Sequence, residues 1–195
     1  MGDSQTGAQQ RSDELALVAR CRRGEPAAKS ELLRGLLPTM RGAIRALLGA
    51  RPEVDDAVQQ AAIDILRGLP TYRGDAPLRA WARTIAVRAG LKITRSSTRH
   101  LSAVDPETLH AAPREAGAAE RIAKPLAAYL DGLPAAQREA LVLRHALEFT
   151  VPEIAELLGT SVNTIKSRLL SARKEVRKLI RRDEAVASFR KGGTP

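Results

Sequence analysis

FTVPEIAELLGTSVNTIKSRLLSARKEVRKLI, residues 149–180, is the stretch that decides the fold of this chain. It reads as two short helices about a tight turn, the second strongly basic. Thr150 can accept from the backbone N–H of Glu153 while the Glu153 side chain reaches back to the N–H of Thr150, a capping box. Pro152 sits in the first turn, where a missing N–H costs nothing. Ile154, Ala155, Leu157 and Leu158 form an apolar stripe at helical spacing, and Gly159 supplies the left-handed backbone that ends the helix. Ser161 is the N-cap of the next helix, which carries Val162, Ile165, Leu169, Val176 and Leu179 inward and Lys166, Arg168, Arg173, Lys174, Arg177 and Lys178 largely outward. Ala155 is small where two steeply crossed helices bring their backbones together. The same residues would suit a solvated charged helix in any bundle. Cap, glycine turn and basic second helix together favour a DNA-reading helix-turn-helix.

Composition points the same way. The chain has 195 residues, enough for one medium or two small domains, and 32 Lys and Arg against 22 Asp and Glu give a net charge of +10 and a pI of about 10.6. A polyanionic partner, bound with release of counterions, is expected. No apolar run approaches the ~20 residues needed to span a bilayer, and the polar start MGDSQTGAQQRSDE is unlike a secretion signal, so a cytoplasmic protein is expected. Cys21 has no second cysteine to pair with and reads as an ordinary packed thiol.

The rest of the chain falls into an all-α, two-domain organisation with no competing strand pattern. Residues 1–12 are expected to be disordered. A first block, 13–95, holds four helices: Asp13 to Arg23; Ala27 to Leu48, weakened or bent by Gly35, Pro38 and Gly42; Val54 to Arg67, stopped by Gly68; and Leu78 to Arg95. Between the last two lies the turn-rich loop LPTYRGDAP, residues 69–77. Residues 96–124, rich in Ser, Ala, Pro and scattered charge, read as a flexible linker. A second helical block, 125–182, contains the helix-turn-helix, and 183–195 form a fraying tail.

Three longer stretches carry a family resemblance. DDAVQQAAIDIL (55–66), PTYRGDAPLRAWARTIAVRAGLKITR (70–95) and LPAAQREALVLRHALEFTVPEIAELLGTSVNTIKSRLLSARKEVRKLI (133–180) together resemble the extracytoplasmic-function sigma factors of the bacterial sigma-70 family. The last is the most specific match. The resemblance implies a sigma-2-like four-helix domain and a sigma-4-like helix-turn-helix domain, with RNA polymerase core and promoter DNA as partners and no cofactor. Departures from the family pattern are Gln60 for Glu, Ala62 and Leu66 for aromatics, Arg88 for Asn, and Ser171 for Arg.

Site residues follow from that resemblance. Asp55, Asp56, Gln59 and Asp64 are implied to meet the polymerase beta-prime coiled coil, although such groups equally suit a solvated face. Tyr72, Arg73 and Asp75 are the loop residues implied to receive extruded bases of the minus-ten element, and Arg79, Arg83, Arg88, Lys92 and Arg95 suit the phosphates of a single strand. Trp81 is either a wedge against melted DNA or the core anchor of a domain poor in aromatics, with the reading leaning to the core. In the recognition helix, Asn163, Thr164, Ser167 and Arg168 are implied groove contacts for the minus-thirty-five element, with Lys166, Arg173 and Lys174 on the backbone. The remaining apolar face and the preceding helix would meet the beta flap. The resemblance also allows an anti-sigma factor as a further partner, since many relatives are silenced by one.

Other functions compete with this reading. A helix-turn-helix regulator acting without polymerase would leave the loop and Trp helix unexplained. A sigma-like adaptor would bind polymerase without melting promoters. No enzymatic constellation is present: His100, His110 and His145 are too dispersed for a local metal motif, and Asp55 and Asp56 are ordinary helix-start residues.

Overall fold

A computed structural model describes residues 3–101 and 126–183, with side chains described for 9–95 and 128–183. The chain divides into two compact units, Met1–Asp105 and Pro106–Pro195. Each is built of helices alone among the described residues.

The first unit contains α1 (Asp3–Arg22), α2 (Pro26–Leu48), α3 (Val54–Gly68), a 3-10 turn (Leu69–Thr71) and α4 (Leu78–Leu101). Its core is aliphatic. Leu32, Leu36, Met40 and Ile44 of α2 meet Val58, Ala61 and Ile65 of α3 and Ala82, Ala86, Val87 and Leu91 of α4, all buried. Val18 and Cys21 close it from α1. Burial pushes the Cys21 thiol pKa up, which keeps it protonated and inert, as expected of a packed cysteine.

Several expected boundaries move. Helix α1 begins at Asp3, so the stretch expected to be disordered is helical from there. Polar helix formers such as Gln9, Gln10 and Arg11 extend it without any apolar stripe, helped by the Gln9 amide donating to Asp13 Oδ1 at 3.0 Å. Helix α2 passes through Pro38 without a break in assignment. Helix α3 ends at Gly68, as expected, and tightens directly into the 3-10 turn. The lack of a side chain at Gly68 has another use, because a Cβ there would lie 3.0 Å from Trp81 Cζ2. Helix α4 runs on to Leu101, past the expected linker start at 96. The remainder of that linker, 102–124, lies outside the described residues.

The second unit contains α5 (Leu126–Asp131), α6 (Ala135–His145), α7 (Val151–Leu158) and α8 (Val162–Arg182). Leu133, Leu143, Phe149, Ile154, Ile165 and Leu169 are buried together with the small Ala140, Ala155 and Ala172, which let the helices approach closely. The expected tail start, Asp183, is tethered: the Tyr129 hydroxyl donates to its Oδ2 at 2.9 Å, tying α5 to the end of α8. Residues 184–195 lie outside the described residues.

Candidate nucleic-acid interface

The second unit's interface is assembled by local chemistry. Thr150 Oγ1 accepts from Glu153 N at 3.4 Å and Glu153 Oε2 accepts from Thr150 N at 2.7 Å, completing the capping box. Gly159 closes α7 in the left-handed region at φ 62°. Thr160 N then donates to Ala155 O at 2.9 Å, and Ser161 Oγ accepts from Thr164 N at 3.0 Å to open α8. Every angle of the turn is therefore fixed by residues a few positions apart.

That geometry sorts the α8 candidates. Asn163, Lys166, Ser167, Arg173 and Lys174 are exposed, whereas Arg168 is half-buried. Thr164 is half-buried and its hydroxyl lies 2.8 Å from Ser161 Oγ, so it belongs to the cap as well as to any groove contact. At about 100° per residue, Asn163, Ser167 and Lys174 share one face, and Leu170 lies at its edge beside Asn163. Leu170 is 73% exposed. The sequence reading passed over it because only one residue of the Leu169–Leu170 pair can face the core, and Leu169 does. Position on the helical wheel was the available signal. Val162, assigned inward, is instead exposed, being displaced from the core by its place in the opening turn of α8.

Arg173 has a local anchor. Its Nη2 lies 3.2 Å from His145 Nε2, and a guanidinium can only donate, so the imidazole accepts in its neutral form. Desolvation, then the Arg173 and Arg144 charges, hold the His145 pKa below the ordinary histidine value. Between α6 and α8 an apolar cavity of about 330 Å³ is lined by Leu141, Val142, Ala146 and Val176, with His145 and Arg173 at its edge.

In the first unit the structure divides the residues grouped by sequence. Asp55, Asp56 and Gln59 are exposed on one side of α3, and Ile63, 44% exposed, stands with them. Asp55 also pairs with Arg41 Nη2 at 3.0 Å. Asp64 is half-buried, roughly 140° around the helix from Gln59, and accepts from Gln60 Nε2 at 2.8 Å. The loop candidates divide similarly. Arg73 and Asp75 are exposed, but Tyr72 is 6% exposed, its hydroxyl donating to Ala76 O at 2.8 Å and its ring 5.0 Å from that of Trp81. Burial is the main cause raising the Tyr72 pKa, so the phenol stays a neutral donor. Tyr72 is thus placed as a loop support rather than a surface group, because the apolar ring has Trp81 to pack on.

Along α4 the basic residues form two groups. Arg79 is exposed and Arg83 half-buried on one side; Arg88, Lys92 and Arg95 are exposed on another, roughly 140° away. Trp81 falls on the second side and is half-buried: one edge packs under Gly68 and Tyr72, in line with the core reading, while part of the ring remains accessible. The arrangement is an aromatic heading a basic stripe, a form suited to one unpaired strand. Among the described residues no group of His, Cys, Asp and Glu is placed to hold a metal ion, and no helix is long and apolar enough to cross a membrane.

Comparison with known proteins matches the same two units. The Sigma-70 region 2 family model matches residues 32–100 and the Sigma-70, region 4 model residues 123–176. The chain is 30% identical over 174 residues to the ECF RNA polymerase sigma factor SigM of Mycobacterium tuberculosis, spanning 89% of this chain and 87% of that one. It is 31% identical over 152 residues to the ECF RNA polymerase sigma factor EcfG of Rhodopseudomonas palustris, spanning 76% and 83%. Among solved structures, the sigma factor RpoE in complex with the anti-sigma factor NepR from Bartonella quintana superposes with a TM-score of 0.56 at 27% identity, over 80% of this chain and 97% of that one. With its two units each matching a sigma-70 region and with a 30% identical relative covering 89% of its length, this chain belongs to the extracytoplasmic-function sigma factors.

Proposed function

We propose that this chain binds RNA polymerase core and directs promoter recognition and DNA opening, the polymerase supplying all the chemistry. The observation that carries this is the presence in one chain of two unlike nucleic-acid faces. One is a capped helix with an exposed polar and basic side, suited to the major groove of a duplex; the other is a basic stripe headed by Trp81, suited to an unpaired strand. A regulator that only binds duplex DNA has no use for the second.

In this reading α8 enters the minus-thirty-five element. Asn163, Ser167 and Arg168 reach base edges, Leu170 offers an apolar surface to a thymine methyl, and Lys166, Arg173 and Lys174 hold phosphates. Arg73 and Asp75 at the loop surface receive extruded minus-ten bases, while Trp81, Arg88 and Lys92 track the strand; Arg79 and Arg83 guide phosphates nearer the loop. Asp55, Asp56 and Gln59 dock on the beta-prime coiled coil with Ile63 as an apolar anchor, and Asp64 acts through Gln60 at the edge of that face. The cavity between α6 and α8 takes the beta flap. An anti-sigma factor, like the NepR bound to the RpoE of Bartonella quintana, would compete for these same faces, and the place of action is the cytoplasm.

Run-off transcription with polymerase core, with and without the chain, on a library of fragments of its own genome tests the proposal. Discrete new transcripts are expected. Core binding without transcripts would identify an adaptor, and duplex binding with neither would identify a free-standing regulator.

A further inference from the structure

The loop between α3 and α4 has few bonds of its own. Tyr72 N donates to Leu69 O at 3.3 Å, Thr71 Oγ1 to Gly68 O at 2.9 Å and Tyr72 Oη to Ala76 O. A loop held by so little would have to be ordered at each encounter with a ligand, at a cost in affinity.

Helix α1, which carries none of the proposed DNA contacts, holds this loop at three points. At its entry, Arg22 Nε and Nη2 donate to Leu69 O at 3.0 and 2.9 Å, and Nη2 also reaches Tyr72 O. At its middle, Leu15 lies against Gly74, where a Cβ would be 3.0 Å from Leu15 Cδ2 and where the backbone sits at φ +83°. At its exit, Glu14 Oε2 accepts from Leu78 N at 3.1 Å, a carboxylate capping the first amide of α4. Two of these contacts are charge-assisted, and the planar fork of Arg22 serves the carbonyls of Leu69 and Tyr72 together in a geometry that a single ammonium does not match. The two ends of the loop are fixed while Arg73 and Asp75 remain exposed between them.

We propose that α1 preorganises the 69–77 loop for strand capture, with Arg22 and Glu14 as positioning residues. The proposal rests on the reading of the loop as the minus-ten base receiver and adds the element that sets its shape. Any event that shifts α1 would then alter promoter opening without touching DNA.

The test uses the full chain bound to polymerase core and a fluorescent single-stranded oligonucleotide carrying the non-template minus-ten sequence. Arg22→Met and Glu14→Ala are each expected to weaken strand binding about tenfold, with Arg22→Lys in between, while affinity for core and for the minus-thirty-five duplex stays unchanged. Amide hydrogen exchange across residues 70–76 of the free chain is expected to quicken in the same order. Unchanged strand affinity and unchanged loop exchange in both variants would overturn the proposal, as would parallel loss of core and strand binding, which marks general packing. Should the Arg22 variant fail to fold, Glu14→Ala decides alone. Absence of strand binding by the unsubstituted chain would overturn the base-receiver reading, and the exchange measurement would still report whether α1 braces the loop.

Discussion

The two nucleic-acid faces of this protein are held in place by opposite means. In the second unit the starts of α7 and α8 and the corner before α7 are fixed by partners three to five residues apart, Thr150 with Glu153, Ser161 with Thr164 and Arg144 with Phe149 O at 3.1 Å, while longer-range ties from His145 and Tyr129 hold only the middle and end of α8. In the first unit the loop after α3 is fixed by side chains 47 to 64 residues away in sequence, on the first helix of the domain. Local bonds make the duplex-facing helix a rigid piece, formed as soon as its two helices pack. Distant bonds make the strand-facing loop depend on the completed domain, and so open it to control from elsewhere in that domain.

The sharpest way to break this contrast is Ala155→Leu. Ala155 is 6% exposed where α7 meets α8, and the added volume should cost the second unit about 2 kcal/mol and reduce duplex binding at least about tenfold. Hydrogen exchange of α2 to α4 should stay as it was, and a global change would show that the units are not separately held. Next in size is Ser161→Ala, which removes the bond to Thr164 N and should cost about 1 kcal/mol, read as faster exchange at the start of α8 only. Glu148 is the one non-glycine residue with positive φ, 58°, among the described residues. Glu148→Gly should stabilise the second unit by about 0.5 kcal/mol in a domain-resolved melt, whereas a loss would mean that the Glu148 side chain supports the turn.

In the first unit, Gly68→Ala sets a helix-propensity gain of about 1 kcal/mol against a Cβ pressed on Trp81. Stability should hardly move, but the emission of Trp81, the single tryptophan, should shift as its ring is displaced. An unaltered spectrum would show that the ring yields without changing its surroundings.

The smallest effect belongs to pH. Since the folded unit lowers the His145 pKa, the unfolded chain takes up that proton first. Stability is therefore complete above the ordinary histidine value near 6.5 and falls as pH drops from there toward the lower folded value. An NMR titration of the His145 ring should give a midpoint below 6.5, and Arg173→Ala should raise it by removing a neighbouring positive charge. A midpoint indifferent to Arg173 would remove the His145 contact as that side chain's anchor.

The same contrast explains what could be read from residues alone. Capping residues, the Gly159 turn and the sided charge of α8 act between near neighbours, so their spacing reveals them. The clamp of Arg22 and Glu14 on the loop is invisible to spacing, because it depends on which face α1 turns toward α3 and α4. Tyr72 reads as a base-receiving loop residue for a related reason: a loop aromatic looks available until the ring of Trp81, nine positions on, is placed against it. Leu170 and Ile63 lie off the apolar stripes that spacing picks out, and how far they stand in solvent shows only once the core is known to be full. The helical start of α1 was hidden by its polarity, since periodicity finds only helices with an apolar side.

The measurement that bears most directly on the central claim is paired DNase I and permanganate footprinting of a promoter with polymerase core, with and without this chain, the nuclease reporting protected duplex and permanganate reporting unpaired thymines. The account expects a protected minus-thirty-five patch accompanied by reactive, unpaired thymines in the minus-ten element, both dependent on the chain. Protection of the duplex with no reactive thymine would contradict it, leaving a protein that finds promoters without opening them.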